Sequence, residues 1–337
     1  MKENMKNIKR VLSGIRATGR LHLGNYLGMV KGMLELQDNP GYEIFYMVAD
    51  LHSMTTPYDQ KTLASTAREV VLDYLSCGLE PDKSAVFLQS DLAELHTELM
   101  FYLSTVVTVA RMQHLPTFKE KVKQYPQNVT MALLNYPVLM AADILIYKSS
   151  DVPTGIDQEP HLEVAREIAR KMNEAFGTDF PEPKRFGTRG EYVPSLTDEG
   201  KMSKSVEGSY IQLTDDLETI KKRLAAAPTD SGRGQAVPTA GGVANLLTLV
   251  ELFEGKEKRK KYEKQYVTSG IRYGELKTEL AEAIYRDLKP IQEKRRELEK
   301  KPDYVEQVLK DGADKARKIA QKTIDEVKTK MGLKGGL

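Results

Sequence analysis

Short apolar runs alternate with helix-spaced stretches through the first two-thirds of this chain, and that alternation constrains the fold more than any other feature. Ile8 to Ser13 is a strand candidate that runs into a Gly-containing turn. Apolar residues at Leu23, Tyr26, Leu27, Val30, Met33 and Leu34 then keep helical spacing. Ile44-Phe45-Tyr46-Met47-Val48-Ala49 is continuously apolar, as a strand buried on both faces must be. A helix predicted from about Gln60 to Ser76 leads to a third strand, Ala85-Val86-Phe87-Leu88. Strands separated by helices imply a parallel sheet wound on both sides. Ligands of such sheets bind at the carboxyl ends of the strands, where the first strand passes into its helix.

After about residue 207 predicted strands cease and helical patterns carry dense charge, as in Lys256-Glu257-Lys258-Arg259-Lys260-Lys261. The expected architecture is therefore α/β: a Rossmann-like doubly wound sheet over 1–206, a helical domain over 207–303, and a C-terminal helix over 304–337 that packs back on the first domain. Val308, Leu309, Ala316, Ile319, Ala320, Ile324 and Val327 give that last helix its apolar stripe. The C-terminal Lys334-Gly335-Gly336-Leu337 is expected to fray. A net charge of +2 argues against wholesale polyanion binding and leaves room for a local basic patch. The single cysteine, Cys77, excludes an intramolecular disulfide and any cysteine-rich metal site, and its apolar neighbours predict a buried thiol. Met1 to Asn7 is charged and lacks the apolar segment of a leader, and no run is long enough to span a membrane, so a cytoplasmic location is expected.

Two motifs carry the chemistry. Thr18-Gly19-Arg20-Leu21-His22-Leu23-Gly24-Asn25 falls where the first strand turns into the first helix. Gly19 permits a tight turn, and Gly24 allows close approach to the helix backbone. The helix N-terminus offers N–H groups to phosphates, and His22 and Asn25, three apart, share a face from which both can donate. The second motif, Lys201-Met202-Ser203-Lys204-Ser205, follows the apolar Tyr192-Val193-Pro194-Ser195-Leu196 and reads as a mobile cationic clamp. Singly, each has a plainer reading: a surface histidine on an amphipathic helix, and a solvated charged loop.

Together they resemble the two ATP-binding motifs of class I aminoacyl-tRNA synthetases, with Asn25 where many members carry a second histidine. Residues 11–28, Asn135-Tyr136-Pro137-Val138-Leu139-Met140-Ala141-Ala142-Asp143-Ile144-Leu145, Gly155-Ile156-Asp157-Gln158 and residues 201–205 look like the tryptophanyl group in order and spacing. The resemblance implies that Arg16-Ala17-Thr18 approaches the phosphates and that Gly155, Ile156 and Asp157 hold the ribose. It further implies that Gln158 contacts the substrate and that Val193 flanks the adenine. A plainer role for Asp157 is to cap the helix that follows.

Tyrosyl and tryptophanyl enzymes share this architecture, so the pocket must decide between them. Asp143 sits in a nearly apolar helix, where a carboxylate needs a donor partner. By resemblance that donor is the indole N–H, with Met140 packed against the ring; a nearby Lys or Arg is the alternative. The first strand offers apolar Leu12 where tyrosine-selecting sites place a phenol partner. Tyr136 and His52 are further pocket candidates by resemblance, and each equally suits a packed core. Arg16 departs from the glutamine many bacterial members carry.

The implied reaction is in-line attack of the L-tryptophan carboxylate on the α-phosphorus of ATP, with Mg2+ accompanying ATP and no dedicated protein metal site. Lys201 and Lys204, with Lys121 as a third cation, would hold the pyrophosphate, and His22 and Asn25 would donate from the helix side. The resemblance also implies transfer to tRNA(Trp), anticodon reading by the helical domain near Lys256–Lys264 and Lys294–Arg296, and a homodimer. Apolar candidates for its interface run from Phe87 to Val109. A tyrosyl enzyme, a small-molecule nucleotidylyltransferase and a non-catalytic paralogue are the competing readings.

Overall fold

The computed structural model describes residues 8–187, 192–197, 200–204 and 206–333; Met1 to Asn7, Ser205 and Lys334 to Leu337 lie outside the described residues. Among the described residues five parallel strands form one sheet: β1 Lys9–Arg16, β2 Tyr42–Ala49, β3 Ala85–Leu88, β4 Asp151–Pro153 and β5 Lys184–Phe186, in the order β3-β2-β1-β4-β5. The strand order reverses between β1 and β4, which opens a crevice at their carboxyl ends, beyond Arg16 and Pro153.

The continuous apolar run of β2 follows from this layering. Ile44, Tyr46 and Val48 face one hydrophobic cluster, and Phe45, Met47 and Ala49 face another on the opposite side of the sheet. The helices around this sheet include α1 Leu63–Ser76, α2 Ala93–Ser104, α3 Pro116–Gln124, α4 Met131–Ile146 and α5 Glu159–Phe176. The segment predicted as one helix after β1 is compound: an α-turn Leu23–Asn25, a π-turn Tyr26–Val30 and an α-helix Lys31–Gln37. Cys77 is buried, and burial raises its thiol pKa.

Residues 207–303 contain helices and no strand: α6 Leu217–Ala226, α7 Gly241–Glu254, α8 Lys256–Val267 and α9 Tyr273–Glu299. The last helix, α10 Pro302–Lys330, crosses the edge of the sheet at β3. Val305, Val308 and Leu309 enter one cluster, while Ala316, Ala320, Ile324 and Val327 enter the other. Gly312 lies at the crossing, where a Cβ would stand 2.0 Å from the Val86 carbonyl oxygen. Helix and strand backbones touch there, and the helix covers an edge that would otherwise be open to pairing. Gly312→Ala is therefore expected to cost about 1–3 kcal/mol of stability through overpacking; an unchanged melting temperature would refute this contact. Among the described residues no helix is long and apolar enough to cross a membrane.

Candidate active site

The end of β1 and the turn after it build the first wall of the crevice. Gly19 has φ +108°, a conformation that favours glycine, and its carbonyl accepts a 2.7 Å hydrogen bond from Lys204 Nζ. The two motifs, distant in sequence, thus meet directly. The contact is held from outside the motifs as well. His22 and Gln212 form an antiparallel bridge, flanked by Leu23 N–H to the Ile211 carbonyl (2.9 Å) and Leu213 N–H to the Leu21 carbonyl (3.0 Å).

His22 is buried, and its Nδ1 finds no hydrogen-bond partner among the described residues. Burial, with the charges of Lys204 and Lys201, pushes its pKa down to about 3, so the ring is neutral near pH 7. Asn25 accepts from the His22 backbone N–H at 3.2 Å, which orients its amide. Gly24 is required by the protein itself, beyond any ligand: a Cβ there would lie 2.8 Å from the His22 ring and 3.3 Å from Met202 Cβ.

The lysine segment folds back on the strand-like residues before it. Met202 N–H bonds to the Val193 carbonyl at 3.0 Å, and Pro194 bridges Lys201. Val193 and Met202 are both buried, and the buried Ser209 hydroxyl donates to the Ser203 carbonyl at 2.7 Å. Lys201 pairs at 2.9 Å with Asp157. Burial opposes ionisation of Asp157, but Lys201 and Gln158 outweigh it and the pKa falls. Asp157 is therefore not the cap of α5, whose N-cap residue is Gln158. Its carboxylate folds over Gly155, where a Cβ would come within 2.5 Å, while Ile156 is exposed.

From Asp157 a chain of hydrogen bonds runs to α4 and α3. Gln158 Nε2 donates to Asp157 at 3.0 Å, and Gln158 Oε1 lies 3.0 Å from His161 Nδ1. His161 Nε2 meets the hydroxyls of Tyr136 (2.8 Å) and Thr117 (2.9 Å). Burial, then His52, lowers the His161 pKa to about 4. A neutral ring bonded this way donates from Nδ1 to Gln158 and accepts at Nε2.

Asp143 on α4 is almost wholly buried and has three partners among the described residues, none of them Lys or Arg. His52 Nε2 lies 2.8 Å from Oδ2; Gln89 Nε2 (2.7 Å) and His96 Nδ1 (2.6 Å) reach Oδ1. Burial works to raise the Asp143 pKa, but hydrogen bonds from His52 and His96 outweigh it and bring it down to about 2. A carboxylate offers about four acceptor positions, so one on Oδ2 remains. His96 in turn meets the Tyr147 hydroxyl at 2.9 Å, and Tyr147 stacks on Phe45 with ring centroids 4.8 Å apart.

Arg16, at the end of β1, bonds Thr56 at 2.8 Å and keeps a buried Nε without a partner among the described residues; burial lowers its pKa. Lys121 on α3 bonds Gln124 at 2.7 Å and lies over the Tyr125 ring. Its pKa is lowered by burial and then by Arg16, which places the two cations together. Ala17 is buried, Thr18 closes a tight turn onto the Arg16 carbonyl at 2.8 Å, and Met140 is half-buried on α4. Leu12 packs in the cluster that contains Ala141 and Ala142.

Gln89, His96, Tyr147 and His161 escaped the sequence reading. His96 and His161 lie in helices and Tyr147 directly follows α4, and each looks like an ordinary amphipathic position until the fold joins them. One candidate from the sequence needs correction: within Lys294–Arg296, Arg295 is buried and ion-paired, so it is unavailable to a nucleic acid. Phe87, at the start of the apolar interface candidates, is likewise fully buried, because β3 is covered on both faces; Phe101 and Val109 are exposed.

A family model described as tRNA synthetases class I (W and Y) matches residues 4–289. The tryptophan–tRNA ligase of Porphyromonas gingivalis is 38% identical over 333 residues, covering 97% of this chain and 100% of the relative. A crystal structure of tryptophanyl-tRNA synthetase from Mycoplasma pneumoniae superposes with a TM-score of 0.84 at 32% identity, covering 97% of this chain and 98% of that one. That of the Campylobacter jejuni enzyme, complexed with ADP and tryptophan, gives 0.82 at 34% identity, covering 96% and 99%.

Proposed function

Because the chain belongs to the class I tRNA synthetases of the tryptophan and tyrosine group, we infer that its crevice joins L-tryptophan to tRNA at the expense of ATP. L-Tryptophan and ATP give tryptophanyl-adenylate and pyrophosphate, and the tryptophanyl group then passes to the terminal ribose hydroxyl of tRNA(Trp) as AMP leaves. The observation that carries this reading is the meeting of the two phosphate motifs at the sheet's switch point, Lys204 Nζ on the Gly19 carbonyl.

The tryptophan carboxylate is already ionised and attacks the α-phosphorus without a general base. The new P–O bond forms as the bond to the bridging oxygen breaks, and pyrophosphate leaves with that electron pair. Catalysis is then positioning and charge stabilisation. His22 and Asn25 donate from the helix side; Lys201, Lys204 and Lys121 hold the departing pyrophosphate. Arg16, Ala17, Thr18 and Gly24 line the phosphate path. Gly155, Ile156 and Asp157 take the ribose, so Asp157 must release Lys201 as ATP binds. Val193, Met202, Ser203 and Ser205 complete the nucleotide side. Magnesium enters with ATP as part of the substrate.

Asp143 accepts the indole N–H at its remaining acceptor position. Met140, Leu12, Tyr136, His52 and Gln158 form the rest of the amino-acid site, with Tyr136 and Gln158 set by His161. The helical segment 207–303 reads the tRNA. There Lys258, Arg259 and Lys260 pair with acidic neighbours, which leaves the exposed Lys256, Lys261 and Lys264 for RNA. We extend the proposal to a homodimer formed on the face that exposes Phe101 and Val109.

Exchange of pyrophosphate into ATP, run with tryptophan and tyrosine side by side, tests the reading. Exchange with tryptophan alone is expected. Exchange with tyrosine alone would keep the synthetase and overturn the pocket, and exchange with neither would overturn both.

A pH dependence follows from Lys204, whose pKa burial lowers to about 8 against a smaller opposing effect of Asp73. A lysine so depressed is charged below that pH and loses its charge as the pH rises through it. kcat/KM for ATP reports groups of the free enzyme, so it is expected to fall above about pH 8. Lys204→Arg, which stays charged, should remove the fall. The same alkaline limb in both proteins would assign it to another group.

A further inference from the structure

The turn that presents Gly19 and His22 is anchored on a buried charge belonging to neither motif. Asp73, on α1, is 1% exposed, and its Oδ2 accepts the Leu21 backbone N–H at 2.6 Å. Its other oxygen pairs with Arg295, on α9 of the helical segment, itself 3% exposed. Arg295 spends its remaining donors on the Glu69 carboxylate (2.5 Å), the Glu69 carbonyl (3.2 Å) and Glu299 (2.9 Å). Glu69 also holds Arg20 at 2.6 Å. The residues on either side of the turn's Arg20–Leu21 peptide are thus tied down through groups that Arg295 orients.

A second observation on the same helix points the same way. Gln292 Nε2, one turn before Arg295, donates to the carbonyls of Leu213 and Asp215, both at 2.9 Å. Leu213 in turn donates to the Leu21 carbonyl. Helix α9 therefore fixes the Leu21 amide through Asp73 and the Leu21 carbonyl through Leu213. A buried pair held by this many hydrogen bonds is weak evidence for stability, since apolar residues of similar volume often serve as well. What apolar residues cannot supply is an acceptor for the Leu21 N–H.

We propose that Asp73 and Arg295 are positioning residues for ATP, setting the Gly19–His22 turn from the helical segment so that His22 and the Gly19–Lys204 contact stand ready for the triphosphate. The inference rests on the synthetase reading of the crevice. Neither side chain touches substrate. Both act through the backbone of Leu21, and a misplacement on the order of 1 Å at such a turn costs up to about a hundredfold in rate.

The test compares two double variants that leave no unpaired buried charge. Asp73→Asn/Arg295→Met keeps an oxygen for the Leu21 N–H; Asp73→Leu/Arg295→Met removes it. Both are assayed beside the wild type by tryptophan-dependent pyrophosphate exchange, with ATP and tryptophan binding measured separately by calorimetry. The expected result for the leucine double variant is a rise in KM and Kd for ATP of about 10- to 100-fold, with tryptophan affinity within about twofold of wild type. The asparagine double variant should show a smaller rise. If both variants lose thermal stability but bind ATP as the wild type does, the residues are merely structural and the proposal is overturned. Equal losses for ATP and tryptophan would overturn it as well. A wild type that binds ATP without exchanging pyrophosphate would instead remove the synthetase reading on which the proposal stands.

Discussion

Lys204→Ala is expected to slow tryptophan-dependent pyrophosphate exchange by about a hundred- to a thousand-fold, the scale on which one transition-state donor is lost. The Lys204 ammonium is half-buried, its pKa depressed, and it bridges the two motifs through the Gly19 carbonyl. A partly desolvated cation is poorly screened, so its effect on pyrophosphate's developing charge exceeds that of a surface lysine. The substitution also opens the contact between the lysine segment and the first turn, which adds a loss of alignment. Tryptophan binding should change little, because Asp143 and its partners belong to a different part of the crevice. The chain contains no tryptophan, so the fluorescence of bound ligand reports occupancy without a protein indole background. Exchange near the wild-type rate would remove Lys204 from the mechanism. Loss of tryptophan binding in step with exchange would make it a folding residue.

Asp143→Asn is expected to lower kcat/KM for tryptophan by about a hundredfold or more, as befits a buried polar site whose hydrogen bonds no longer match. The reason lies in the donors around the carboxylate. His52, His96 and Gln89 all approach Asp143, and an ionised carboxylate accepts from each. An asparagine keeps one acceptor oxygen and turns an NH2 toward a neighbour that also donates, so one buried donor loses its partner or the amide turns away. The indole N–H then meets either a donor or a misaimed oxygen. An analogue with sulfur in place of the indole N–H supplies the control. Wild type should prefer tryptophan strongly, and in Asp143→Asn that preference should collapse. A preference unchanged by the substitution would show that Asp143 does not read the indole nitrogen.

Much of the fold was legible because its causes are local. The run from Ile44 to Ala49 can only be a strand covered on both faces, and the fold divides its side chains between two clusters accordingly. The stripe from Val308 to Val327 marks a helix that must bury one face, and α10 buries it across the edge of the sheet. The strands β4 and β5 left no such signal, since three residues cannot display a period and Asp151–Pro153 is neither apolar nor alternating. The two motifs at residues 18–25 and 201–205 were visible because each is a run of contiguous residues whose types are unusual in combination.

The sequence by itself determined a doubly wound sheet, a Gly-and-His turn where its first strand ends, a lysine–serine segment far downstream and a carboxylate in an apolar helix. It could not say what holds each in place. Tertiary structure decided that Asp143 is surrounded by His52, Gln89 and His96, contributed by three separate segments of the chain. It decided that Tyr136 and Gln158 meet through His161, and that Asp73 pairs with Arg295 across 222 positions. The physical reason is common to all three. A buried polar group must be satisfied, but any donor that the fold delivers will do, and sequence spacing carries no record of which one arrives. Periodicity reports the face a residue buries; it is silent on the partner found there.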